Sequence, residues 1–268
     1  MSARDLFQLA WGALRAHKVR TRLTALALAI GVGSVLLLSG LGEGTRRWVE
    51  SQFSSLGSNV LIALPGRTET RGGVPLIPST TRDLTMEDLH AVERRLPGVR
   101  RVVPLVVGEA TATYERRGRA ATVIGTTRAF LEIRDITVSM GESLPAGESD
   151  SAARVCVVGR RIQQELFGEQ NPLGARLKLG EYPFRIVGVI ARRGQSMMVD
   201  LDEVVLVPAA AALRMFNRTG LFRMLVQVAP SSDLERTAER LRAVLKERHD
   251  DEEDFTLLTP GAMASSFA

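Results

Sequence analysis

The sequence predicts an α+β protein, in which one N-terminal transmembrane helix is followed by an extracytoplasmic domain of split ferredoxin-like strand-helix-strand units with an inserted small α+β subdomain. Three observations support this prediction. Residues 23–42 form a run of 20 uncharged residues. A strand-helix-strand pattern occurs twice, first after residue 59 and again near the C-terminal end. The stretch 127–218 between the two units is too long to be a loop.

The uncharged run 23–42 is the predicted membrane span, because 20 helical residues at about 1.5 Å each cross a hydrocarbon core of about 30 Å. The 22 residues before it carry five basic residues and one acidic residue, whereas the rest of the chain carries 30 and 29. This asymmetry predicts a cytoplasmic N-terminus and a main domain outside the inner membrane, and it argues against nucleic acid as a partner.

Residues 1–22 are predicted to be a cytoplasmic amphipathic segment, with an extension of the membrane helix as the alternative. A cleaved signal peptide is disfavoured because the basic region and the apolar run are both too long.

Small residues recur four positions apart within the predicted span, a spacing that lets another membrane helix approach closely. The predicted span-packing residues are Ala27, Ala29, Gly31 and Gly33. The residues predicted to mark the membrane exit are Gly42, Glu43 and Gly44.

The first strand-helix-strand unit begins with the predicted strand "NVLIALPG", and a loop over 67–83 leads to its helix. Thr85 is predicted to cap this helix together with Asp88, three residues later. Pro97 and Gly98 end the helix before a strand. A hairpin follows, in which "GEATATYE" and "RAATVIGT" flank the polar turn "RRGR".

The second unit consists of the strand "LFRMLVQVA", a helix that Ser231 or Ser232 is predicted to cap, and the strand "DFTLLTP". Two such units in tandem predict helices on one face of a mostly antiparallel sheet. Residues 43–126 and 219–260 are therefore assigned to one subdomain. The inserted subdomain, 127–218, is predicted to contain strands at 154–158 and 203–207, helices at 160–167 and 209–216, and a hairpin of 176–179 with 184–191.

Residue sets that support catalysis or metal binding are missing from the sequence. His17, His90 and His249 lack zinc-site spacing, and neither a G-x-x-x-x-G-K-[ST] phosphate loop nor a G-x-S-x-G elbow occurs. The acidic run "HDDEEDF" lacks the glycine and the spacing of a calcium loop and is predicted to be a solvated turn. Cys156 is predicted to be a buried hydrophobe. We therefore predict no catalytic, cofactor-binding or metal-binding residues and no cofactor, and the chain is not expected to be an enzyme.

Several strings resemble, in order, the first transmembrane helix and the periplasmic core of MacB-type ABC transporter permeases. These strings are "TRLTALALAIGVGSVLLLSGLGEG", "LGSNVLIALPG", "LTMEDLHAVERRLPGVRRVVP", "TVIGTT", "VVGRRIQQELFGEQNPLGARLKLGEYPFRIVGVIARRG" and "DEVVLVP". The most specific piece is "LFGEQNPLGARLKLGEYPFRIVGVI", where Pro172 and Gly174 shape a turn and alternating apolar residues give the following hairpin one buried face.

The resemblance implies a four-span permease of the inner membrane with a porter-like periplasmic subdomain, 43–126 and 219–260, and an inserted periplasmic subdomain, 127–218. The expected function is to transmit cytoplasmic ATPase motion to the periplasmic domain for efflux of drugs or peptides or for lipoprotein release. The implied partners are a separate ABC ATPase subunit that hydrolyses ATP, a second copy or another permease in a dimer, and a periplasmic adaptor protein. Residues 261–268 are expected to start a connection to further spans. The alternative is a single-span anchored extracytoplasmic binding or scaffold protein without transport activity.

Overall fold

The computed structural model describes residues 18–54, 59–66, 82–146, 153–191, 195–196 and 199–259. Side-chain surroundings are described for these residues except 20–21, 24–25, 41–54, 195–196 and 199. Most of the predicted cytoplasmic segment (1–17), most of the predicted loop (67–81) and the predicted connection 261–268 lie outside the described residues. The chain divides into two units, Met1–Gln52 and Phe53–Ala268.

The described residues form six α-helices and twelve strands, which agrees with the α+β prediction. The helices are α1 (Lys18–Ser54), α2 (Met86–Arg95), α3 (Arg128–Ile133), α4 (Arg160–Phe167), α5 (Ala209–Met215) and α6 (Leu234–Arg248). The strands are β1 (Val60–Pro65), β2 (Val99–Tyr114), β3 (Arg117–Thr126), β4 (Val138–Gly141), β5 (Val155–Val158), β6 (Arg176–Leu179), β7 (Tyr182–Ile190), β8 (Gln195–Ser196), β9 (Val199–Asp200), β10 (Val204–Pro208), β11 (Arg223–Val228) and β12 (Phe255–Leu258). A short 3-10 turn, Leu201–Glu203, precedes β10.

The first unit consists mainly of α1, which contains 37 residues and is therefore about 55 Å long. Its large apolar side chains are exposed; Leu38, for example, is 79% exposed. Within the part of the chain that the structure describes, no helix is long and apolar enough to cross a membrane. The structure therefore does not confirm the predicted span over 23–42.

Four strands of the second unit form a split ferredoxin-like arrangement in the order β12-β1-β11-β2, and every neighbouring pair is antiparallel. The chain passes through α2 between β1 and β2, and through α6 between β11 and β12. Leu89 of α2 and Leu241 of α6 are fully buried in the same cluster as Leu61 of β1, so both helices cover one face of this sheet. This arrangement, the ferredoxin-like half, confirms the predicted layout.

The inserted residues extend the sheet and close part of it into a ring of six strands. Beginning at the C-terminal part of β2, the pairing runs through β3, β10, β5, β7 and β6, and β6 pairs with β2 again. The strand β4 pairs with Gly188 to Ile190 of β7, beyond the residues of β7 that pair with β6. Alternate residues such as Ala112, Val123, Cys156, Ile186 and Leu177 are buried in a common cluster, as expected for a ring whose inner face is filled with side chains.

Most predicted elements are present, but four details of the prediction are wrong. The strand after Gly98 and the first hairpin strand are one continuous 16-residue strand, β2. Its turn into β3 consists of Glu115 and Arg116, because β3 already starts at Arg117. The cap of α6 is Asp233, not Ser231 or Ser232, because its side chain accepts the hydrogen bond from the backbone N–H of Arg236 at 3.1 Å. The elements α3, β4, β8 and β9 were not predicted.

Candidate functional site

The predicted span-packing residues all lie on α1, but the helix does not place them on a single face. Residues four apart are separated by about 40° around a helix, so Ala27 lies near Gly31 and Ala29 near Gly33. Residues two apart are separated by about 200°, which puts the two pairs on nearly opposite sides. A Cβ added at Gly31 or Gly33 would meet nothing within 4 Å. The predicted membrane-exit residues Gly42, Glu43 and Gly44 have helical backbone within α1, and their side-chain surroundings are not among those described.

The junction between the ferredoxin-like half and the ring is the best-defined candidate site in the second unit. The strand β2 runs through both parts: Val99 to Leu105 pair with β11, and Val106 to Tyr114 pair with β3. A continuous strand of 16 residues thus forms the outgoing connection. Strand pairing on both sides of this connection leaves it no free backbone about which the two parts could turn.

The returning connection, 216–222, is fixed to the same stretch of β2. Gly108 provides the space for the Phe216 ring, since a Cβ at residue 108 would overlap that ring. The guanidinium Nη1 of Arg218 donates to the carbonyl of Val107 at 3.0 Å. The backbone N–H of Phe222 donates to the carbonyl of Leu105 at 2.8 Å. The outgoing connection, β2, and the returning connection, 216–222, are therefore bonded to each other.

A buried ionic cluster joins the two helices of the ferredoxin-like half. His249, which follows α6, has its Nδ1 2.5 Å from Asp254 Oδ1 and its Nε2 3.4 Å from Asp88 Oδ2. Arg248 Nε donates to Asp88 Oδ1 at 2.5 Å, and the backbone N–H of Thr85 donates to Asp88 Oδ2 at 2.8 Å. The prediction of a solvated turn is wrong for both ends of the run: the side chains of His249 and Asp254 are 1% and 11% exposed, and Phe255 is buried.

Asp88 is the carboxylate on which this cluster converges. Burial raises the pKa of Asp88, but the hydrogen bonds from Arg248 and Thr85 and the charge of Arg248 outweigh burial, so the pKa lies below its ordinary value. Asp88 therefore stays ionised, and it serves both as an ion-pair partner of α6 and in the capping box of α2.

Asp254 also binds both described ends of the connection between β1 and α2. Its carbonyl accepts from the backbone N–H of Gly66 at 2.8 Å, and its Oδ2 accepts from the backbone N–H of Arg82 at 3.0 Å. Because Asp254 contacts His249 as well, the end of β1, the approach to α2 and the end of α6 are bonded to one residue. The contacts of Asp254 therefore have a structural role.

A second ionic cluster lies at the rim of the ring. Arg119 of β3 contacts Glu165 of α4 at 2.6 Å and Glu203 at 3.5 Å. Glu203 is also bonded to Arg161, and this hydrogen bond lowers the pKa of Glu203 below its ordinary value. The cluster therefore attaches α4 to the rim.

Sequence patterns predicted the capping box but not the two clusters or the junction. Arg248 and Asp88 are 160 residues apart, and no local pattern pairs them.

Among the described residues, no group of three or more His, Cys, Asp or Glu side chains is arranged to hold a metal ion. Cys156 is fully buried, as predicted, and burial raises the pKa of its thiol.

Comparison with protein families gives a match to the MacB-like periplasmic core domain over residues 21–244. The chain belongs to this family. The macrolide export ATP-binding/permease protein MacB of Marinobacter nauticus is 33% identical over 250 residues, covering 91% of the chain and 37% of that protein. The MacB protein of Bdellovibrio bacteriovorus is 30% identical over 237 residues, covering 88% of the chain and 36% of that protein.

A second group of relatives carries another name. The pyoverdine export ATP-binding/permease protein PvdT of Pseudomonas entomophila is 31% identical over 270 residues, covering 98% of the chain and 40% of that protein. The chain thus spans less than half the length of these curated relatives.

Solved structures share the fold of this MacB-like domain. The periplasmic region of MacB from Actinobacillus actinomycetemcomitans superposes with a TM-score of 0.68 at 16% identity, covering 80% of the chain and 95% of that structure. The extracellular domain of the noncanonic ABC-type transporter YknZ from Gram-positive bacteria superposes with a TM-score of 0.61 at 20% identity, covering 75% of the chain and all of that structure. The second unit therefore has the fold of MacB-type periplasmic domains.

Proposed function

We propose that the chain is the permease portion of a MacB-type ABC exporter. The observation that best supports this proposal is the similarity to export permeases over nine-tenths or more of the chain. In this proposal residues 23–42 cross the inner membrane, the N-terminus is cytoplasmic, and the second unit is periplasmic. The uncharged run and the basic residues before it support this orientation.

Two kinds of partner follow from the proposal. An ABC ATPase would hydrolyse ATP, because the similar exporters are named ATP-binding/permease proteins. A second copy or another permease would pack against α1 through the small residues, and a periplasmic adaptor would complete the export path. The substrate class is that of the family's exporters: drugs, peptides or lipoproteins.

The junction suggests how motion would pass through the second unit. If ATPase motion reaches the ferredoxin-like half through α1, the shared strand β2 would carry it into the ring without a hinge. The contact of Phe216 with Gly108 and the bond from Arg218 to Val107 support a rigid connection of this kind. A rigid second unit would convert a small rotation into a larger displacement of a partner that is bound far from the rotation axis.

Co-purification tests the proposal. The full chain is expressed with the ABC ATPases of its own genome and purified in mild detergent. We expect one ATPase to co-purify, and we expect Gly31→Leu combined with Gly33→Leu to reduce the crosslinking of α1 to a partner span. Val35→Leu is the matched control, because it changes an exposed apolar side chain on the same helix without adding bulk at a small residue.

Alkaline phosphatase fused after Thr259 provides the second measurement. Enzyme activity outside the cytoplasm together with ATPase co-purification would support the permease proposal. An external reporter without any ATPase would favour the anchored scaffold protein, and an inactive, cytoplasmic reporter would contradict both.

A further inference from the structure

A short segment in front of α2 contacts both the buried ionic cluster and the junction. We call this segment, residues 82–85, the strap. It is the C-terminal part of the connection between β1 and α2. Its two end residues donate backbone hydrogen bonds to the cluster, and its two middle residues contact the returning connection, 216–222. The strap is therefore a physical link between the cluster and the junction.

Both ends of the strap are held by carboxylates that also contact His249. At one end, the backbone N–H of Arg82 donates to Asp254 Oδ2 at 3.0 Å. At the other end, the backbone N–H of Thr85 donates to Asp88 Oδ2 at 2.8 Å. The imidazole of His249 lies between the two carboxylates, 2.5 Å from Asp254 Oδ1 and 3.4 Å from Asp88 Oδ2. His249 therefore contacts both acceptors that position the strap.

The middle of the strap holds the returning connection. The backbone N–H of Leu221 donates to the carbonyl of Leu84 at 2.7 Å. Gly220 provides the space for Asp83, since a Cβ at residue 220 would overlap the Asp83 side chain. Leu84 and Leu221 are both buried. Displacement of the strap would therefore break a buried hydrogen bond and leave its donor and acceptor without a partner.

The strap is too short for its two sets of contacts to open independently. Ordering the backbone of one residue costs about as much free energy as one hydrogen bond contributes. A strap that loses an end contact therefore has less free energy to keep Asp83 and Leu84 in place, and such segments open as cooperative units. In the opposite direction, displacement of Asp83 moves the adjacent N–H of Arg82 away from Asp254.

We propose that His249 and its two carboxylates form a latch for the junction and that the strap transmits their arrangement to the returning connection. With the latch closed, both the strap and β2 hold this connection. With the latch open, Gly220 and Leu221 lose their contacts with the strap, only the bonds to β2 remain, and the junction becomes less stiff. His249 is a positioning residue in this proposal, because it acts through the two carboxylates. The proposal concerns the second unit itself and stands independently of the export function.

Amide hydrogen exchange, resolved to single residues on the full chain in detergent, tests the latch from the cluster side. Asp254→Ala removes the acceptor for Arg82 and should accelerate exchange of the Leu221 amide at least tenfold. Asp254→Asn keeps a side-chain oxygen that can accept from Arg82, and it should accelerate the same exchange less than threefold. The matched control is Arg95→Gln, which removes the exposed ion pair with Glu247 between α2 and α6 and should change the Leu221 rate less than twofold.

A substitution at the junction tests the latch from the other side. Gly220→Ala should displace Asp83 and accelerate exchange of the Arg82 amide at least tenfold. Adding Asp83→Gly removes the overlapping side chain and should return the Arg82 rate to within threefold of the wild-type rate. Gly118→Ala on β3 is the matched control, because a Cβ there would meet no atom closer than 3.4 Å.

The Ala229 amide separates transmission through the strap from a general loss of stability. This amide donates to the carbonyl of Gly98 at 2.8 Å, and it follows β11, whereas Leu221 precedes β11. The ratio of the Leu221 rate to the Ala229 rate should rise at least fivefold in Asp254→Ala and stay within twofold in Arg95→Gln. Equal acceleration at both amides would indicate general loosening of the ferredoxin-like half and would overturn the proposal.

Three further outcomes would overturn the proposal. If Asp254→Ala accelerates exchange at Arg82 but not at Leu221, the cluster does not act on the junction. If Gly220→Ala leaves the Arg82 amide at its wild-type rate, the strap does not transmit displacement. His249→Gln removes the ring that lies between the carboxylates and should accelerate exchange of the Leu221 amide at least threefold. An unchanged Leu221 rate in this variant would show that His249 does not position the strap.

Discussion

The helices of the ferredoxin-like half and those of the ring are positioned in different ways. In the half, α2 starts with a capping box and α6 starts with the cap of Asp233. In the ring, the residues that precede α4 and α5 are Gly159 and Pro208, and neither provides a side-chain cap. A Cβ on Gly159 would overlap the carbonyl oxygens of Leu201 and Asp202, so α4 starts where two backbone segments touch.

This difference shows that some helix starts are determined by residues close in sequence, whereas others are determined by residues far away in sequence. A cap is encoded within four residues, so the start of α2 can be read from sequence. A close backbone approach depends on a segment about 40 residues away. The ring therefore relies on packing to define its helices, whereas the half combines caps with the buried cluster at Asp88.

The largest effects are expected from the cores of the two parts. Ile186→Ala in the ring and Leu241→Ala in the half should each lower the free energy of unfolding by about 2–5 kcal/mol, because both side chains are fully buried. Since β2 belongs to both parts, each variant should still unfold the second unit in a single transition. Urea unfolding measures both quantities.

The two tyrosines provide the probe that separates the parts. Tyr114 and Tyr182 both belong to ring strands, so in a Trp11→Phe, Trp48→Phe background their fluorescence reports on the ring, whereas far-ultraviolet circular dichroism reports on all elements. Leu241→Ala should shift both signals to the same urea concentration. If the urea midpoint of the tyrosine fluorescence stays at the wild-type value, the ring unfolds separately and the junction is not rigid.

Most helices and strands, and the ferredoxin-like layout, could be predicted from the sequence. Apolar periodicity and caps are local, and they located α2, α4 and the β6–β7 hairpin. Ring closure could not be predicted, because the pairing of Leu179 with Ala112 joins strands 67 residues apart. The burial of His249 was missed for the same reason: residues 250–253 beside it are exposed, but its partner Asp88 lies in the first strand-helix-strand unit.

The next largest effect is expected at the buried cluster. Asp88→Asn should cost about 2 kcal/mol at pH 7, because it removes the buried carboxylate that Arg248 contacts and leaves Arg248 only the exposed Glu87. The folded-state pKa of Asp88 lies below its ordinary value, so the ionised carboxylate contributes stability above pH about 4. This contribution is lost as the pH falls through the folded-state pKa, and the wild-type and variant curves should therefore converge in acid.

An exposed ion pair between the same two helices is the control for Asp88. Arg95 contacts Glu247 at 2.9 Å, and the side chains are 51% and 68% exposed. Arg95→Gln should cost less than about 1 kcal/mol at pH 7. If both substitutions had equal effects, the cluster at Asp88 would be no more important than a surface contact.

The smallest effect is expected at the helix starts, where the two parts differ most clearly. Asp233→Ala should cost about 1 kcal/mol, because it removes the side-chain acceptor for the backbone N–H of Arg236. Thr127→Ala, at the start of α3 in the insert, should change stability by less than about 0.5 kcal/mol, because its hydroxyl makes no cap hydrogen bond. Chemical unfolding of both variants compares them directly. A cost at Thr127 equal to that at Asp233 would show that both parts depend on capping, and packing alone would then not explain how the helices of the insert are positioned.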